Sequence, residues 1–164
     1  MRMFTKVLAG FVAVAMFGTV TANAQSGSVN GLANVQQPIN VSGAVDLDFA
    51  SVFPGVNKTV VVTDATAGRF DVTGQGGAPV LVSFVLPANL ISGANSLPIG
   101  TWTGHYNTSN APAGGTNFTP SAGITNSTLS GGGNLFVFVG ATVSPTITQG
   151  AGAYSGSIQM TVTY

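Results

Sequence analysis

The last eleven residues, 154–164, read YSGSIQMTVTY and contain the pattern that decides the fold. Ile158, Met160, Val162 and Tyr164 alternate there with amide and hydroxyl side chains. Because successive side chains of a β-strand point to opposite faces of the sheet, this alternation predicts a strand with one buried face. The segment carries no charged residue, and the sequence ends with it.

The same period of two recurs upstream, and no helical spacing of apolar residues is found after residue 24. From residue 29 to 49 the odd positions hold most of the apolar side chains, with interruptions at Pro38 and Gly43. Pro38 lacks an amide donor, which favours an edge position or irregular pairing. Further strands are predicted at 59–63, 70–72, 80–86, 101–106, 124–129 and 135–143.

The connections between these strands are rich in glycine. Glycine turns are predicted at 74–77 and 131–133, a connection without strands at 87–100, and a long exposed loop at 107–123. The nearly continuous apolar run 80–86 predicts a strand buried on both faces. Short strands joined by glycine turns are typical of a β-sandwich or a barrel, and we favour one sandwich of about seven to nine strands over residues 43–164.

Residues 1–24 have the composition of a secretory signal peptide. A basic head, Arg2 and Lys6, is followed by an apolar run over 7–20 and by the small-residue cleavage pattern Ala22-Asn23-Ala24. The run is shorter than the ~20 apolar residues of a membrane-spanning helix, so we expect no membrane span after cleavage. The sequence therefore predicts an exported protein that begins at Gln25, passes through the periplasm and reaches the cell surface.

The composition limits the partners of the exported chain. Charged residues make up 5% of the sequence and hydrophobic residues 45%, which favours a folded domain over a disordered one. Lys58 and Arg69 are the cations that remain after export. Two cations cannot neutralise a phosphate backbone, so nucleic acid is excluded as a partner. A neutral surface rich in hydroxyl groups is suited to packing against copies of the same chain.

No pattern of catalytic or metal-binding residues stands out, so we expect a protein that is not an enzyme and holds no cofactor or metal. His105 is the single histidine, cysteine is absent, and no nucleophile elbow occurs. Asp46 and Asp48 share one strand face and have the chemistry to bind Ca²⁺ or to act as acid and base. Their apolar neighbours are predicted to face the core, which directs both carboxylates to water.

Trp102 and Tyr106 lie four residues apart and share one face of a predicted strand. Such a pair can stack on a sugar, although aromatic residues more often pack in a core. An alternative function is therefore a monomeric adhesin that binds glycans through Trp102, Tyr106 and the loop 107–123. A small outer-membrane β-barrel is a further alternative, but the runs 80–86 and 135–139 leave no polar positions for its lumen.

The segment 25–42 and the final strand together indicate addition of a strand between subunits. An exposed, uncharged strand edge invites aggregation unless it is covered. We predict that residues 25–42 form an N-terminal extension that covers this edge, either in the same molecule or in another copy. The donor side chains are Val29, Ala33, Val35, Ile39 and Val41, and the acceptor edge is Ile158, Met160, Val162 and Tyr164.

Several short motifs extend over most of the exported chain: LDFASVFPG at 47–55, FDVTG at 70–74, FVLP at 84–87, VGATV at 139–143 and TVTY at 161–164. They resemble a family of small secreted Gram-negative proteins, catalogued as a domain of unknown function and similar to the major subunits of Mat/Ecp-type common-pilus fimbriae. Where that family has glycine after Leu-Asp-Phe, this chain has Ala50. The closing pattern is also similar to the final strand of chaperone–usher pilins.

The resemblance implies an immunoglobulin-like sandwich, a periplasmic chaperone as a partner, and assembly into a pilus. Together with the strand-addition argument, it predicts a structural subunit of a bacterial surface fibre. It implies no catalytic residue.

Overall fold

The computed structural model describes residues 24–164, which divide into two units, 24–34 and 35–164. The predicted signal peptide, apart from its last residue, lies outside the described residues. Residues 24–34 form neither helix nor strand, and the side chains of Val29 and Leu32 are almost fully exposed. In the described part of the chain, no helix is long and apolar enough to cross a membrane.

Residues 35–164 form two antiparallel sheets, which confirms the predicted all-β sandwich. There are ten strands rather than seven to nine, because three short strands extend the larger sheet. The strands are β1 (Asn40–Val45), β2 (Lys58–Val60), β3 (Gly68–Thr73), β4 (Pro79–Val85), β5 (Asn89–Ser92), β6 (Asn95–Asn107), β7 (Thr116–Phe118), β8 (Thr125–Thr128), β9 (Asn134–Val143) and β10 (Gln159–Thr163).

The larger sheet has the order β1-β3-β9-β6-β5. The short strand β2 pairs with the end of β9 beyond β3, and β7 pairs with β6 beyond β5. The smaller sheet has the order β10-β4-β8. Each sheet therefore ends in an edge strand on the same side of the sandwich, β1 in one and β10 in the other, and these two strands contact each other.

The core consists of two clusters that meet along β9. The first lies between the two sheets and comprises Val72, Val80, Val82, Phe84, Leu129, Leu135, Val137, Val139 and Val162. The second lies near the other end of β9 and comprises Phe49, Val60, Ala67, Leu97, Ile99, Ala141 and Val143. Strand β9 contributes to both clusters, in agreement with the strong central strand predicted at 135–143.

Three local predictions were wrong. In β4 the buried residues alternate with half-buried or exposed ones, so only one face of the run 80–86 is covered. Within residues 24–164, the strands form only two sheets, and no third sheet covers the outer face of the smaller one. The segment 87–100 contains the hairpin of β5 and β6, which turns at Gly93 with φ 58°. Glycine at the first turn position is typical of a two-residue hairpin. The predicted loop 107–123 contains β7.

The segment after β1 closes the second cluster. Phe49 is buried, whereas Asp46 and Asp48 are exposed, as predicted for both carboxylates. The Asp48 carboxylate accepts a hydrogen bond from the N–H of Ala50 at 2.7 Å. Ala50 has φ 50°, a left-handed conformation that glycine adopts more readily than alanine. Glycine, which the family that this sequence resembles has at this position, would adopt this conformation with less strain.

Candidate functional site

The candidate site is the seam between the edge strands β1 and β10. Among residues 24–164, β1 pairs only with β3, and β10 pairs only with β4. We call the end of the sandwich that holds the β3–β4 turn, residues 74–78, the turn pole. Strand β1 starts there, with Asn40 opposite Thr73, and β10 ends there, with Thr163 opposite Leu81. The two edges of the seam therefore run in opposite directions.

The backbone groups at the open edge of β10 follow from the hydrogen bonds of β4. The N–H of Phe84 donates to the carbonyl of Ser121 at 2.8 Å, on the side of β4 that faces away from β10. Neighbouring residues of a strand point their polar groups to opposite edges, so the residues beside Phe84 bond β10. Thr161 lies opposite one of these residues of β4, so its own backbone groups form hydrogen bonds with β4. The N–H and C=O groups of Met160 and Val162 therefore point to the open edge.

The open edge of β1 follows from the same argument. The N–H of Gly74 donates to the carbonyl of Gly133 at 2.9 Å, on the β9 side of β3. The residue before Gly74 in β3 therefore points its backbone N–H and C=O groups to β1. Because these groups alternate along a strand, the backbone groups of Ser42 form hydrogen bonds with β3. Val41 and Gly43 point their backbone groups into the seam. Both sides of the seam thus present backbone donors and acceptors without a strand partner among the described residues.

The predicted acceptor side chains divide into two groups. Ile158, Met160 and Val162 pack against the first core cluster, which is what the alternation predicted. Tyr164 is exposed, and its hydroxyl accepts a hydrogen bond from the N–H of Gln75 at 2.7 Å and donates one to the carbonyl of Gln37. Tyr164 therefore closes the seam at the turn pole by joining β10, the β3–β4 turn and the segment before β1.

At the opposite end, which we call the cleft pole, the seam opens into a cleft of about 1010 Å³. The cleft lies between the segments 43–54 and 149–158 and reaches core side chains, including Phe70 and Val139. Asp46 and Asp48 are the charged residues at its wall. A cleft of this size with mostly apolar walls and no cation suits an uncharged, apolar segment better than an anionic ligand.

The predicted donor residues are placed in two settings. Val29 and Ala33 lie in the exposed unit 24–34, and Val35 is exposed at the start of the second unit. Ile39 and Val41 are half-buried and pack against the first core cluster. Val41 belongs to β1, which starts at Asn40, so the sandwich begins within the segment 25–42. Ile39 and Val41 therefore stabilise their own domain, whereas residues 25–36 precede them and form no strand.

The predicted ligand residues lie in β6 and pack inward. Trp102 contacts both core clusters, and Tyr106 packs against Phe118 with ring centroids 5.8 Å apart. The Tyr106 hydroxyl donates to the carbonyl of Asn126 at 3.3 Å. His105 is buried, with its Nδ1 2.8 Å from the Asn117 side-chain oxygen. Trp102 and Tyr106 therefore contribute packing contacts to the sandwich, while His105 keeps its Nε2 buried without a hydrogen-bond partner among the described residues.

Over residues 24–164, no three side chains of the His, Asp and Glu types lie close enough together to hold a metal ion. Comparisons with models of protein families and with curated proteins find no match to this chain. The resemblance to common-pilus subunits therefore stays a prediction.

Proposed function

We propose that this chain is a structural subunit of a bacterial surface fibre, in which residues 25–36 of one copy add as a strand to the open edge of β10 in the next. The observation that carries the proposal is the position of Met160 and Val162. Their backbone groups point to the open edge while their side chains line the core beneath it. An added strand would therefore complete both the hydrogen-bonded ladder and the apolar layer.

The proposed donor has the composition that such an edge requires. Residues 25–36 contain no charged side chain and no proline. The residues that follow Gln25 can therefore each donate a backbone N–H, and no charged side chain has to be desolvated on insertion. Burial of Val29, Ala33 and Val35 would contribute roughly 5 kcal/mol before the cost of ordering the segment.

The open edge also bears on how the subunit reaches the surface. An uncovered, uncharged strand edge is a template for aggregation until it is paired. We include in the proposal a periplasmic chaperone that covers the edge after export and releases it during assembly. The partners are then this chaperone and other copies of the chain.

Deletion of residues 25–36 from the exported chain tests the proposal. We expect the truncated protein to fold, because β1 starts only at Asn40, and to remain monomeric by size-exclusion chromatography and electron microscopy. The matched variants are V29N/A33N/V35N, which removes the apolar donor side chains, and N30S/N34S, which changes only polar positions. We expect V29N/A33N/V35N to form no polymers and N30S/N34S to form them normally. Polymers of normal yield and stability from the truncated protein would refute the donor mechanism.

A further inference from the structure

We infer that an exposed apolar patch at the cleft pole, formed by Phe53, Val56 and Ile147, is the surface on which the body of the neighbouring copy docks. This inference rests on the proposed function and adds a second contact to it. The three side chains lie outside the seam, and their contact would join the cleft pole of one copy to the turn pole of the next.

The patch consists of three large apolar side chains held side by side. Phe53 is 69% exposed, Val56 59% and Ile147 86%. The N–H of Gly55 donates to the carbonyl of Thr146 at 3.0 Å, which joins the two segments. A Cβ atom on Gly55 would lie 3.1 Å from Cγ2 of Ile147, so the turn and Ile147 are in close contact. Adjacent exposed apolar side chains of this size mark interaction surfaces in soluble proteins.

The patch is continuous with the mouth of the cleft. Phe53 and Pro54 on one segment, and Pro145 on the other, also line the cleft. Val56 and Ile147 lie beyond these residues and do not line it. A segment that enters the cleft therefore brings the molecule to which it is attached directly against the patch.

The direction of the strands identifies the surface that meets the patch. The segment before β1 is held at the turn pole, where the Gln37 N–H donates to the Gln75 side-chain oxygen at 3.2 Å. The donor residues thus join their own sandwich at the turn pole, whereas the receiving cleft is at the opposite pole. The turn pole of one copy consequently meets the cleft pole of the next. Such a contact leaves one pole of each copy free for a further copy, which is what growth of a filament requires.

This arrangement also fixes the orientation of the donor strand. The carboxyl end of the donor strand stays next to the turn pole of the copy to which it belongs. Because that turn pole meets the cleft pole of the receiving copy, the carboxyl end of the donor lies at this cleft pole. The donor then runs opposite to β10, which starts at the cleft pole, and pairs with it in the antiparallel manner of the rest of the sheet. The twelve residues 25–36 span at most about 43 Å, more than the ~23 Å along residues 158–164.

The surface at the turn pole is compatible with an apolar patch. It contains the glycine turns 74–77 and 131–133, which carry no charged side chain. Gly76 and Gly131 are exposed there. Docking of the patch against these turns desolvates no charged side chain of the turns.

The experiment compares V56S/I147S with I124S in the exported chain. Ile124 is 66% exposed and lies outside the patch and the cleft, so it is the matched control. Binding of a fluorescent peptide of residues 25–36 reports on the seam, and light scattering reports the critical concentration for polymer growth. We expect V56S/I147S to bind the peptide normally but to raise the critical concentration about tenfold or more, and I124S to change neither.

An unchanged critical concentration in V56S/I147S, with normal peptide binding, would overturn the patch inference and leave the proposed function standing. Loss of peptide binding in V56S/I147S would also overturn the patch inference, because the patch would then contribute to binding of the donor strand and not to a separate contact with the neighbouring copy. If the unmodified protein fails to bind the peptide, the proposed function itself is wrong.

Discussion

Replacement of Tyr164 by phenylalanine removes the closure of the seam and leaves the aromatic ring in place. The hydroxyl of Tyr164 bonds Gln75, 89 residues away in the sequence, and Gln37, 127 residues away. Since these two bonds join three separate segments at the turn pole, their loss should loosen the segment before β1. The rest of the core is unaffected, because the first core cluster does not include this residue.

The size of the effect follows from the exposure of the groups. A hydrogen bond between neutral groups contributes about 1 kcal/mol net, and exposed partners recover part of this from water. We therefore expect Tyr164→Phe to lower the free energy of unfolding by about 1 kcal/mol for the two bonds together. In a chain of this length, that corresponds to a decrease in Tm of about 3 °C. Urea unfolding monitored by Trp102 fluorescence should show an unchanged m-value.

Tyr154 provides the matched control. Its hydroxyl also makes two hydrogen bonds, accepting from the Gln149 side chain at 2.7 Å and donating to the Gly150 carbonyl at 2.7 Å. Both partners lie within five residues of Tyr154, so Tyr154→Phe should cost similar stability without loosening β1.

Amide exchange of Ser42, which pairs with β3, separates the two variants. It should become about fivefold faster in Tyr164→Phe and stay unchanged in Tyr154→Phe. The donor peptide should also bind faster to Tyr164→Phe. Equal exchange rates of Ser42 in both variants would show that the hydroxyl of Tyr164 does not hold the seam closed.

Three further substitutions, the first with a matched control, test the packing around the site. Gly133→Ala should destabilise the protein by about 3 kcal/mol in urea unfolding, because its φ is 79° and a Cβ would lie 2.2 Å from the Gly74 carbonyl oxygen. Gly132→Ala, whose Cβ would have no contact under 3.4 Å, should stay within about 0.5 kcal/mol of the wild type, and equal losses would contradict this account of the turn. Ala50→Gly should raise the Tm by about 2 °C, because glycine relieves the positive φ, and a lower Tm would contradict that reason. Trp102→Ala should lower stability by about 3 kcal/mol, since the ring packs on both core clusters; a fully stable variant would favour a ligand-binding role for the ring instead.

Alternation in the sequence predicted the strands whose two faces differ. Ile158, Met160 and Val162 face the core because β10 belongs to the smaller sheet and the larger sheet covers one side of it only. The fold class could be predicted for the same reason, as most strands bury one face. The hairpin of β5 and β6 was missed because β6 contains Pro98 and Gly100 and a register shift between Gly100 and Thr103. An irregularity of this kind breaks the period of two that sequence analysis detects.

The candidate site could be predicted only in part, because alternation gives the face of a strand and not its neighbour. The pattern at Ile39 and Val41 is the same whether they insert into another copy or pack on their own core, and the structure places them on their own core. Tyr164 was predicted as an acceptor side chain, but its hydrogen-bond partners are distant in the sequence and leave no local signal. The cleft between 43–54 and 149–158 likewise depends on long-range packing.

The most direct test of the strand-addition account is amide hydrogen exchange of the truncated protein, residues 37–164, with and without the peptide 25–36. Without the peptide, we expect the amides of Met160 and Val162 to exchange fast and that of Thr161 to be protected by its pairing with β4. Saturating peptide should slow Met160 and Val162 by about a hundredfold or more while Thr161 changes little. Protection of Met160 and Val162 before the peptide is added, or no change on its addition, would contradict the account.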